Sequence, residues 1–221
     1  MPDNSSPFSF IAGALCLDFV NTVGSHTSEN PTEKLSTFAD LVHWSKKAGL
    51  IGEGKALELL AYAEVNAKKV SNILEEARAF REALFRIFGR LPRNKVPHAS
   101  DVRALNDALR RFPIRLEVRP QGKDFCCARE IAQANDTWLL APIAWSAADL
   151  LASDQMRRVR QCASATCGWL FIDTTKNHSR RWCAMNDCGS HAKARRYYQR
   201  KKKSINERKE KSSSFEARKV R

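Results

Sequence analysis

Four cysteines in the last third of the chain have the residue type and the spacing of a metal site. Cys162 and Cys167 form one Cys-x4-Cys pair, and Cys183 and Cys188 form a second pair after a spacer of fifteen residues. Zinc in a structural site takes four thiolate or imidazole ligands in a tetrahedron, so two tight loops can each supply two of them. The sequence therefore predicts one structural Zn²⁺ ion held by these four thiolates.

The residues around the two pairs predict the elements that position them. Trp169 to Ile172 is a short apolar run typical of a strand, Asp173 to Ser179 is polar and typical of a turn, and Arg181-Trp182 leads back to the second pair. After Cys188, Gly189-Ser190 allows a helix to begin. We expect a loop, a hairpin, a second loop and a helix, with the last ligand at the helix entrance. This arrangement is a treble-clef-like zinc finger.

The predicted helix after Cys188 carries positive charge on one face. Its basic residues recur at spacings of three and four: Lys193, Arg196, Arg200 and Lys203. Ala194 and Tyr197 or Tyr198 are then expected to pack back on the hairpin. A basic helix held by a metal suits a phosphate backbone. The residues expected to contact nucleic acid are Arg180, Arg181, His191, Lys193, Arg195, Arg196, Arg200, Lys201, Lys202 and Lys203.

The same stretch resembles a known family. The run WLFIDTTKNHSRRWCAMNDCG, followed by AKARR, is similar to the CGNR-type zinc finger at the carboxyl end of bacterial proteins that also carry an ABATE domain. Leu17 to Thr22 resembles the opening of that domain. Where the family has Cys-Gly-Asn-Arg, this chain has Cys188-Gly189-Ser190-His191, so a histidine replaces the family's arginine. The resemblance implies a stress-induced transcription regulator.

The charge of the chain is concentrated at one end. Residues 155–221 contain 19 Lys and Arg against 5 Asp and Glu, whereas residues 1–154 contain 19 of each. The whole net charge of +14 therefore belongs to the last third of the chain. Because this charge continues from a metal module, it favours a nucleic-acid partner over a solvated tail. A membrane surface is disfavoured, since the basic helix offers only two tyrosines as an apolar face.

Other features favour a cytoplasmic protein. Met1 to Pro7 lacks the basic start and apolar core of a signal peptide, and no apolar run is long enough to span a bilayer. Seven cysteines, four of them in a metal pattern, indicate a reducing compartment. We interpret Cys16, Cys126 and Cys127 as reduced packing residues.

The first part of the chain predicts a mainly helical domain with a small antiparallel sheet. Its clearest helix runs from Ser71 to Phe88, with apolar residues at helical spacing and Gly89 as the stop. Further helices are predicted from Ser36 to Ala48, from Lys55 to Ala67, from Ser100 or Asp101 to Phe112, and from Pro142 onward.

Alternating apolar and polar residues predict the strands. Phe8 to Val23 is expected to form a strand pair or one extended strand, and Ile114 to Arg119 a half-buried strand. A turn at Pro120 to Lys123 would allow Phe125 to Ile131 and Trp138 to Leu140 to supply partner strands.

Asp18, Asn21 and Thr22 form a weaker candidate site. They could mark a ligand site at a strand end, although such residues more often cap a turn. The first domain contains no G-x-S-x-G, no H-E-x-x-H and no phosphate-cradling glycine loop, so we expect no enzyme.

These features predict an α+β chain with three parts. Residues 1–155 form an ABATE-like domain that senses an unidentified small-molecule signal or forms a homodimer, residues 156–205 form the CGNR-like finger, and residues 206–221 form a basic, flexible tail. The expected function is zinc-dependent DNA binding in transcription regulation. Three alternatives remain open: RNA binding, a structural zinc module for a protein partner, and a treble-clef nuclease that uses His178 or His191.

Overall fold

The computed structural model describes residues 7–112, 114–131 and 138–202. Lys203 and the predicted tail therefore lie outside the described residues. The helices are α1 (Leu15–Val20), α2 (Phe38–Lys47), α3 (Glu53–Val65), α4 (Ala67–Arg90), α5 (Ala99–Arg111), α6 (Ala141–Ala152) and α7 (190–202). The strands are β1 (Val23–Gly24), β2 (Thr32–Glu33), β3 (Ile114–Gln121), β4 (Asp124–Ile131), β5 (Val159–Gln161) and β6 (Leu170–Ile172).

Helix α4 is the centre of the fold. Helices α1, α2, α3 and α5 all pack against it. Its apolar residues recur at helical spacing, as predicted, and are buried: Val70, Ile73, Leu74, Ala77, Phe80, Ala83, Leu84, Ile87 and Phe88. The predicted stop at Gly89 is wrong, because glycine can adopt helical dihedral angles. The helix instead ends at Arg90, just before Pro92 and the 3₁₀ turn Leu91–Arg93.

The prediction of a strand pair or an extended strand at Phe8 to Val23 is wrong. The segment forms the short helix α1 and then the two-residue strand β1, which pairs antiparallel with β2. Five of the six residues of α1 are buried, so its sequence has no polar face from which a helical period could be recognised. Gly13, with φ of +86°, turns the chain immediately before the helix.

Strands β3 and β4 form the predicted hairpin. They pair from Ile114 opposite Ile131 to Gln121 opposite Asp124, around a turn in which Gly122 has φ of +66°. The expected half-burial is wrong, since Leu116 and Val118 are 63% and 68% exposed. Trp138–Leu140 is also not a third strand but a 3₁₀ turn that leads into α6.

The finger has a hairpin, but its pairing differs from the expected one. Strand β6 forms where the apolar run predicted it, and it pairs antiparallel with β5, which precedes the first cysteine pair. The return segment after β6 was expected to be the partner. It forms turns instead, because the Asp173 carboxylate accepts hydrogen bonds from the backbone of Thr175 and Arg180.

One hydrophobic core extends through both parts of the chain. Val159 and Phe171 of the finger, and the metal-site cysteines Cys183 and Cys188, belong to the same buried cluster as α1 and α4. The backbone N–H of Ile172 donates to the carbonyl of Ala12 at 2.8 Å, so the finger continues directly from the packing of the first domain.

Candidate metal centre and nucleic-acid interface

The structure brings the four predicted ligand cysteines together. The Sγ atoms of Cys162, Cys167, Cys183 and Cys188 all lie within 4.8 Å of one another. Cys183 Sγ is 3.7 Å from the sulfur atoms of both Cys167 and Cys188. A tetrahedral zinc with bonds of about 2.3 Å to sulfur requires edges of about 3.8 Å between the sulfur atoms. The thiols therefore fit one zinc ion.

The short distances between the four thiols also explain why this site requires a bound cation. Hydrogen bonds from Cys167 and Cys183 to the sulfur of Cys162 lower the pKa of Cys162 to about 2. The hydrogen bond between Cys167 and Cys162 raises the pKa of Cys167 to about 12. The neighbouring sulfurs likewise raise the pKa of Cys183. Without metal the cluster cannot place four negative charges so close together. A divalent metal stabilises all four thiolates at once.

Backbone contacts hold the two cysteine loops against each other. The N–H of Ala163 in the first loop donates to the carbonyl of Arg181, which leads into the second. Arg180 binds the second loop: its Nε donates to the carbonyl of Trp182 at 3.0 Å, and its Nη2 donates to the carbonyl of Cys183. Its guanidinium also lies 4.4 Å from the ring centre of Phe171. Arg180 is therefore built into the finger, although it was expected among the nucleic-acid contacts.

Asp173 organises the segment between the cysteine pairs. Its carboxylate is fully buried and accepts hydrogen bonds from the N–H and hydroxyl of Thr175 and from the N–H of Arg180. Burial opposes ionisation, but these hydrogen bonds hold the pKa of Asp173 below its ordinary value. The charged carboxylate thus fixes the turn that returns the chain to Cys183.

The first domain holds the finger through side chains near its amino end. Asn21 makes two hydrogen bonds to the backbone of Leu170: its Nδ2 donates to the carbonyl at 2.8 Å, and its Oδ1 accepts from the N–H at 3.0 Å. The indole N–H of Trp169 donates to the carbonyl of Val23 at 2.7 Å. These contacts join residues almost 150 positions apart. They fix strand β6 on α1.

The first cysteine loop packs directly on residues 26–27. The N–H of His26 donates to the carbonyl of Cys167 at 3.0 Å, and the hydroxyl of Thr27 donates to the carbonyl of Ala165. Gly168 permits this approach. Its φ is +72°, and a Cβ there would lie 2.7 Å from Cγ2 of Thr27. Neither the dihedral angle nor the space admits a side chain.

An ionic network around the buried Arg81 connects this contact to α4. Arg81, only 3% exposed, donates to Glu33 through Nη1 and Nη2 at 2.7 Å and to Glu82 through Nε at 3.1 Å. Glu82 in turn lies 2.9 Å from Nε2 of His26. Burial opposes ionisation, but the partners hold the pKa of Glu33 and of Glu82 below their ordinary values. The network links the central helix to the finger by way of His26.

The structure gives the three residues of the weaker candidate site intramolecular partners. Asp18 accepts the N–H of Ala12 at 2.9 Å, and burial raises the pKa of Asp18 to about 6. Asn21 binds Leu170 as described. Thr22 donates to the carbonyl of Phe19 and accepts from Arg81. All three are buried, and these contacts serve the turn after α1 and the docking of the finger.

Lys34 lies beside the first cysteine loop, a position that no local sequence pattern indicates. Its Nζ is 4.8 Å from the ring centre of Trp169 and donates to the carbonyl of Pro7 at 2.8 Å. Burial lowers the pKa of Lys34, and the negative charges of Cys167 and Asp187 oppose this shift. Four thiolates around Zn²⁺ carry a net charge of −2, so a neighbouring ammonium stabilises the loaded site.

The basic helix extends from the last ligand into solvent. Cys188 lies in the π turn Met185–Gly189, and α7 follows at once, as predicted. Within the described part of α7 the basic side chains are all exposed: Lys193, Arg195, Arg196, Arg200, Lys201 and Lys202. His191 is exposed, with Nδ1 3.6 Å from Asp187. Arg181 is also exposed and lies over the ring of Trp182.

The expected packing of the helix on the hairpin is wrong. Ala194 is exposed, and Tyr197 and Tyr198 are 63% and 68% exposed. Their rings contact each other edge to face, with centres 5.7 Å apart. The hairpin face is already covered by the first domain, so α7 leaves the finger without a surface to pack against.

This geometry defines the class of the protein: a helical domain that carries a four-cysteine zinc finger with an exposed basic helix. Residues 158–201 match the CGNR zinc finger family, and with the four clustered thiols they identify one structural zinc site. Residues 13–154 match the ABATE family, described as "Putative stress-induced transcription regulator". This match spans well over half of the chain, so the protein belongs to the ABATE family. A comparison with curated proteins found no match.

No helix in the described part of the chain combines the length and the apolar character needed to cross a membrane.

Proposed function

We propose that the protein is a zinc-dependent DNA-binding transcription regulator in which α7 docks on duplex DNA. The observation that carries this proposal is the exposed basic helix that begins directly after the last zinc ligand. Such a helix offers a row of cations to the phosphate backbone, and the zinc site fixes its direction. The ABATE and CGNR families are consistent with this role.

The basic residues have different roles in this proposal. We assign base-edge contacts to His191 and Lys193, which are near the start of α7, and phosphate contacts to the others. Arg180 contributes by holding the second cysteine loop. The proposed phosphate contacts are Arg181, Arg195, Arg196, Arg200, Lys201, Lys202 and Lys203. With about five phosphates neutralised, the logarithm of the affinity should fall with the logarithm of salt concentration at a slope near −4 to −5.

Selection of fragmented genomic DNA by the purified, zinc-loaded protein at near-physiological salt tests this proposal. Sequencing of the retained fragments should show enrichment of a few sites, including paired half-sites. Retention that depends on salt concentration but shows no enriched sites would indicate binding to the phosphate backbone alone. Retention of DNA that does not depend on salt concentration would contradict the proposal.

We also propose that the first domain forms a homodimer, because one finger reaches only a few base pairs. The hairpin of β3 and β4 is the proposed contact. Its register places Val118 opposite Cys127 and Pro120 opposite Phe125 on one face, and all four side chains are exposed. An isolated two-stranded hairpin is marginally stable in water, so a partner copy covering this apolar face would stabilise it.

Sedimentation equilibrium tests the dimer. Val118→Lys should yield a monomer, whereas the control Gln121→Lys, which introduces the same charge at an exposed position of the same strand, should stay dimeric. A wild-type monomer, or two dimeric variants, would contradict this contact.

RNA binding is a second candidate because Tyr197 and Tyr198 are exposed on the basic helix. Aromatic side chains of this kind stack on unpaired bases. Competition between single-stranded RNA and duplex DNA for the protein distinguishes RNA binding from DNA binding. Equal or tighter binding of RNA, lost in Tyr197→Ala and Tyr198→Ala, would favour this candidate.

The matched families are regulatory rather than enzymatic, and we propose a cytoplasmic protein without catalytic activity. His178 and His191, the residues considered for a nuclease, are separated by the second cysteine loop, and Asp173 is occupied by its own turn. Supercoiled plasmid incubated with the protein and Mg²⁺ or Mn²⁺ should stay intact.

A further inference from the structure

A pocket of about 160 Å³ lies at the end of α4, beside β5. Arg86, Arg90 and Arg93 line it, and their spacings of four and three place them on one side of α4 and of the 3₁₀ turn that follows. Among the described residues, no carboxylate lines this basic pocket. Its volume is below the range of about 300–1,000 Å³ for drug-sized ligands, so it suits one small group.

Neutral acceptors hold two of these arginines in place. Arg90 donates through Nε to the carbonyl of Val96 at 2.8 Å and through Nη1 to Nε2 of His98 at 3.1 Å. Arg93 donates through Nη2 to Oε1 of Gln161. A guanidinium has five N–H donors, so these contacts fix the two side chains and leave other donors available. Because none of the acceptors is a carboxylate, both charges also remain.

The basic pocket has an excess of positive charge. Arg86 donates to Asp101, and Glu82, one turn earlier on α4, is bound by the network described above. In the part of the chain that the structure describes, no carboxylate pairs with Arg90 or Arg93. The carboxyl end of α4 contributes roughly half a negative charge, which is less than the charge of these two guanidinium groups.

Gly89 leaves the pocket open next to the backbone of α4. It lies inside the helix, where glycine is less favourable than alanine, and its φ is not positive. A Cβ at this position would meet no atom of another described element within 4 Å. Neither the backbone angle nor packing therefore requires glycine here. Close approach of a ligand to the backbone is a further use of this residue type.

We propose that the basic pocket binds a phosphate group, which lies over Gly89 and accepts hydrogen bonds from Arg90 and Arg93. The planar guanidinium matches the geometry of phosphate oxygens, and the hydrogen bonds to an anion are charge-assisted. The phosphate belongs either to a small ester or to the DNA backbone. The second source rests on the proposed function above. Occupancy by free phosphate does not, because it is measured without DNA.

The test titrates the full zinc-loaded chain with inorganic phosphate at pH 7.5, with sodium chloride added to keep the ionic strength constant. Amide chemical shifts in ¹H–¹⁵N spectra report binding. The amides of Gly89 and its neighbours on α4 should shift in a saturable manner. Acetate, titrated in the same way, should leave them in place. Phosphate that binds the exposed cations of α7 shifts other amides, so the two sites are distinguished.

Two variants probe the pocket in different ways. Gly89→Leu keeps all three arginines and fills the space with a better helix former, so it should abolish the saturable shift. Arg93→Gln should weaken phosphate binding about tenfold, because a charge-assisted hydrogen bond is lost. The controls are Gly54→Leu on α3, where a Cβ likewise meets open space, and Arg103→Gln at an exposed position of α5. Both controls should bind phosphate like the wild type.

Titration of Gly89→Leu with duplex DNA, against Gly54→Leu, identifies the source of the phosphate. A lower DNA affinity and a salt slope smaller in magnitude by about 1 would assign it to the DNA backbone. Unchanged DNA binding would assign it to a small ester.

Three results would overturn the proposal: no saturable shift of the pocket amides with phosphate, acetate binding as tight as phosphate binding, or unchanged phosphate binding in Gly89→Leu. Failure of the wild type to bind DNA would contradict the proposed function only.

Discussion

At the scale of single residues, Cys183 is the most constrained of the four metal-site thiols, since it is 1% exposed and touches two others at 3.7 Å. Replacing it with serine should reduce bound zinc well below one ion per chain, because a hydroxyl is a far poorer zinc ligand than a thiolate. Elemental analysis after dialysis measures the zinc content.

The control is Cys127→Ser, which changes an exposed cysteine outside the cluster and should keep its zinc. A Cys183→Ser protein with a full complement of zinc would mean that the ligand set is different.

The negative charge of the buried Asp18 destabilises the folded state. Burial raises its pKa from 3.8 to about 6, so the folded chain binds the proton more tightly than the unfolded chain. Its contribution to the free energy of unfolding is therefore greatest below about pH 4 and is lost as pH rises through 6. The loss is on the order of 3 kcal/mol at neutral pH.

Asp18→Asn removes this pH dependence while keeping an oxygen for the N–H of Ala12. The variant should be more stable than the wild type in urea denaturation at pH 7.5, and the difference should shrink toward zero near pH 4. Asp124→Asn, at an exposed position, should match the wild type at both pH values. A stability difference that does not change with pH would show that the carboxylate is not protonated in this range.

At the scale of elements, α7 is the part of the protein that carries the proposed DNA binding. Reversing three charges, with Lys193→Glu, Arg196→Glu and Arg200→Glu, should weaken duplex binding strongly. It should reduce the magnitude of the salt slope by about 2, because Arg196 and Arg200 are the proposed phosphate contacts among them. Titrations by fluorescence anisotropy at several salt concentrations measure both effects. Circular dichroism should be unchanged, because these side chains are exposed.

A matched triple variant reverses three exposed cations elsewhere: Lys68, Lys69 and Arg103. It should retain the wild-type slope. Unchanged DNA binding in the α7 variant would favour a finger that holds a protein partner.

Elements were predictable where the sequence shows a local period. Helix α4 has a full apolar stripe and β3 alternates cleanly, so each was assigned from its own residues. Helix α1 has no polar face, so its sequence shows no helical period. Strand β6 pairs with β5, which precedes the first cysteine pair, and no local pattern indicates this partner. The ligand set followed from cysteine spacing alone, whereas Lys34 and Asn21 reach the finger through contacts over more than 130 residues that no local pattern encodes.

At the scale of the whole molecule, Arg81 connects the two domains through Glu33, Glu82 and His26. Arg81→Leu removes the cation that Glu33 and Glu82 share, although Glu33 keeps Arg78 at 3.9 Å and Glu82 keeps His26 at 2.9 Å. The loss of these hydrogen bonds should lower the free energy of unfolding by about 1–3 kcal/mol. It should also speed the loss of zinc to a chelator, because His26 positions the loop of Cys167. Chemical denaturation and a chromogenic zinc assay measure these two effects.

Arg103→Leu, at an exposed position on α5, should change neither quantity. A destabilised Arg81→Leu protein that releases zinc at the wild-type rate would show that the network supports the first domain only.

If the protein binds DNA as proposed, the hydrogen bonds of Asn21 to the backbone of Leu170 restrict the spacing of its half-sites. A finger that is anchored in this way is not joined by a flexible linker, so it cannot reach half-sites at arbitrary separations. In a dimer, the distance and angle between the two basic helices would be set by the protein body. Inserting about five base pairs between half-sites would turn one of them to the far side of the duplex, which has about 10.5 base pairs per turn, and should abolish paired binding.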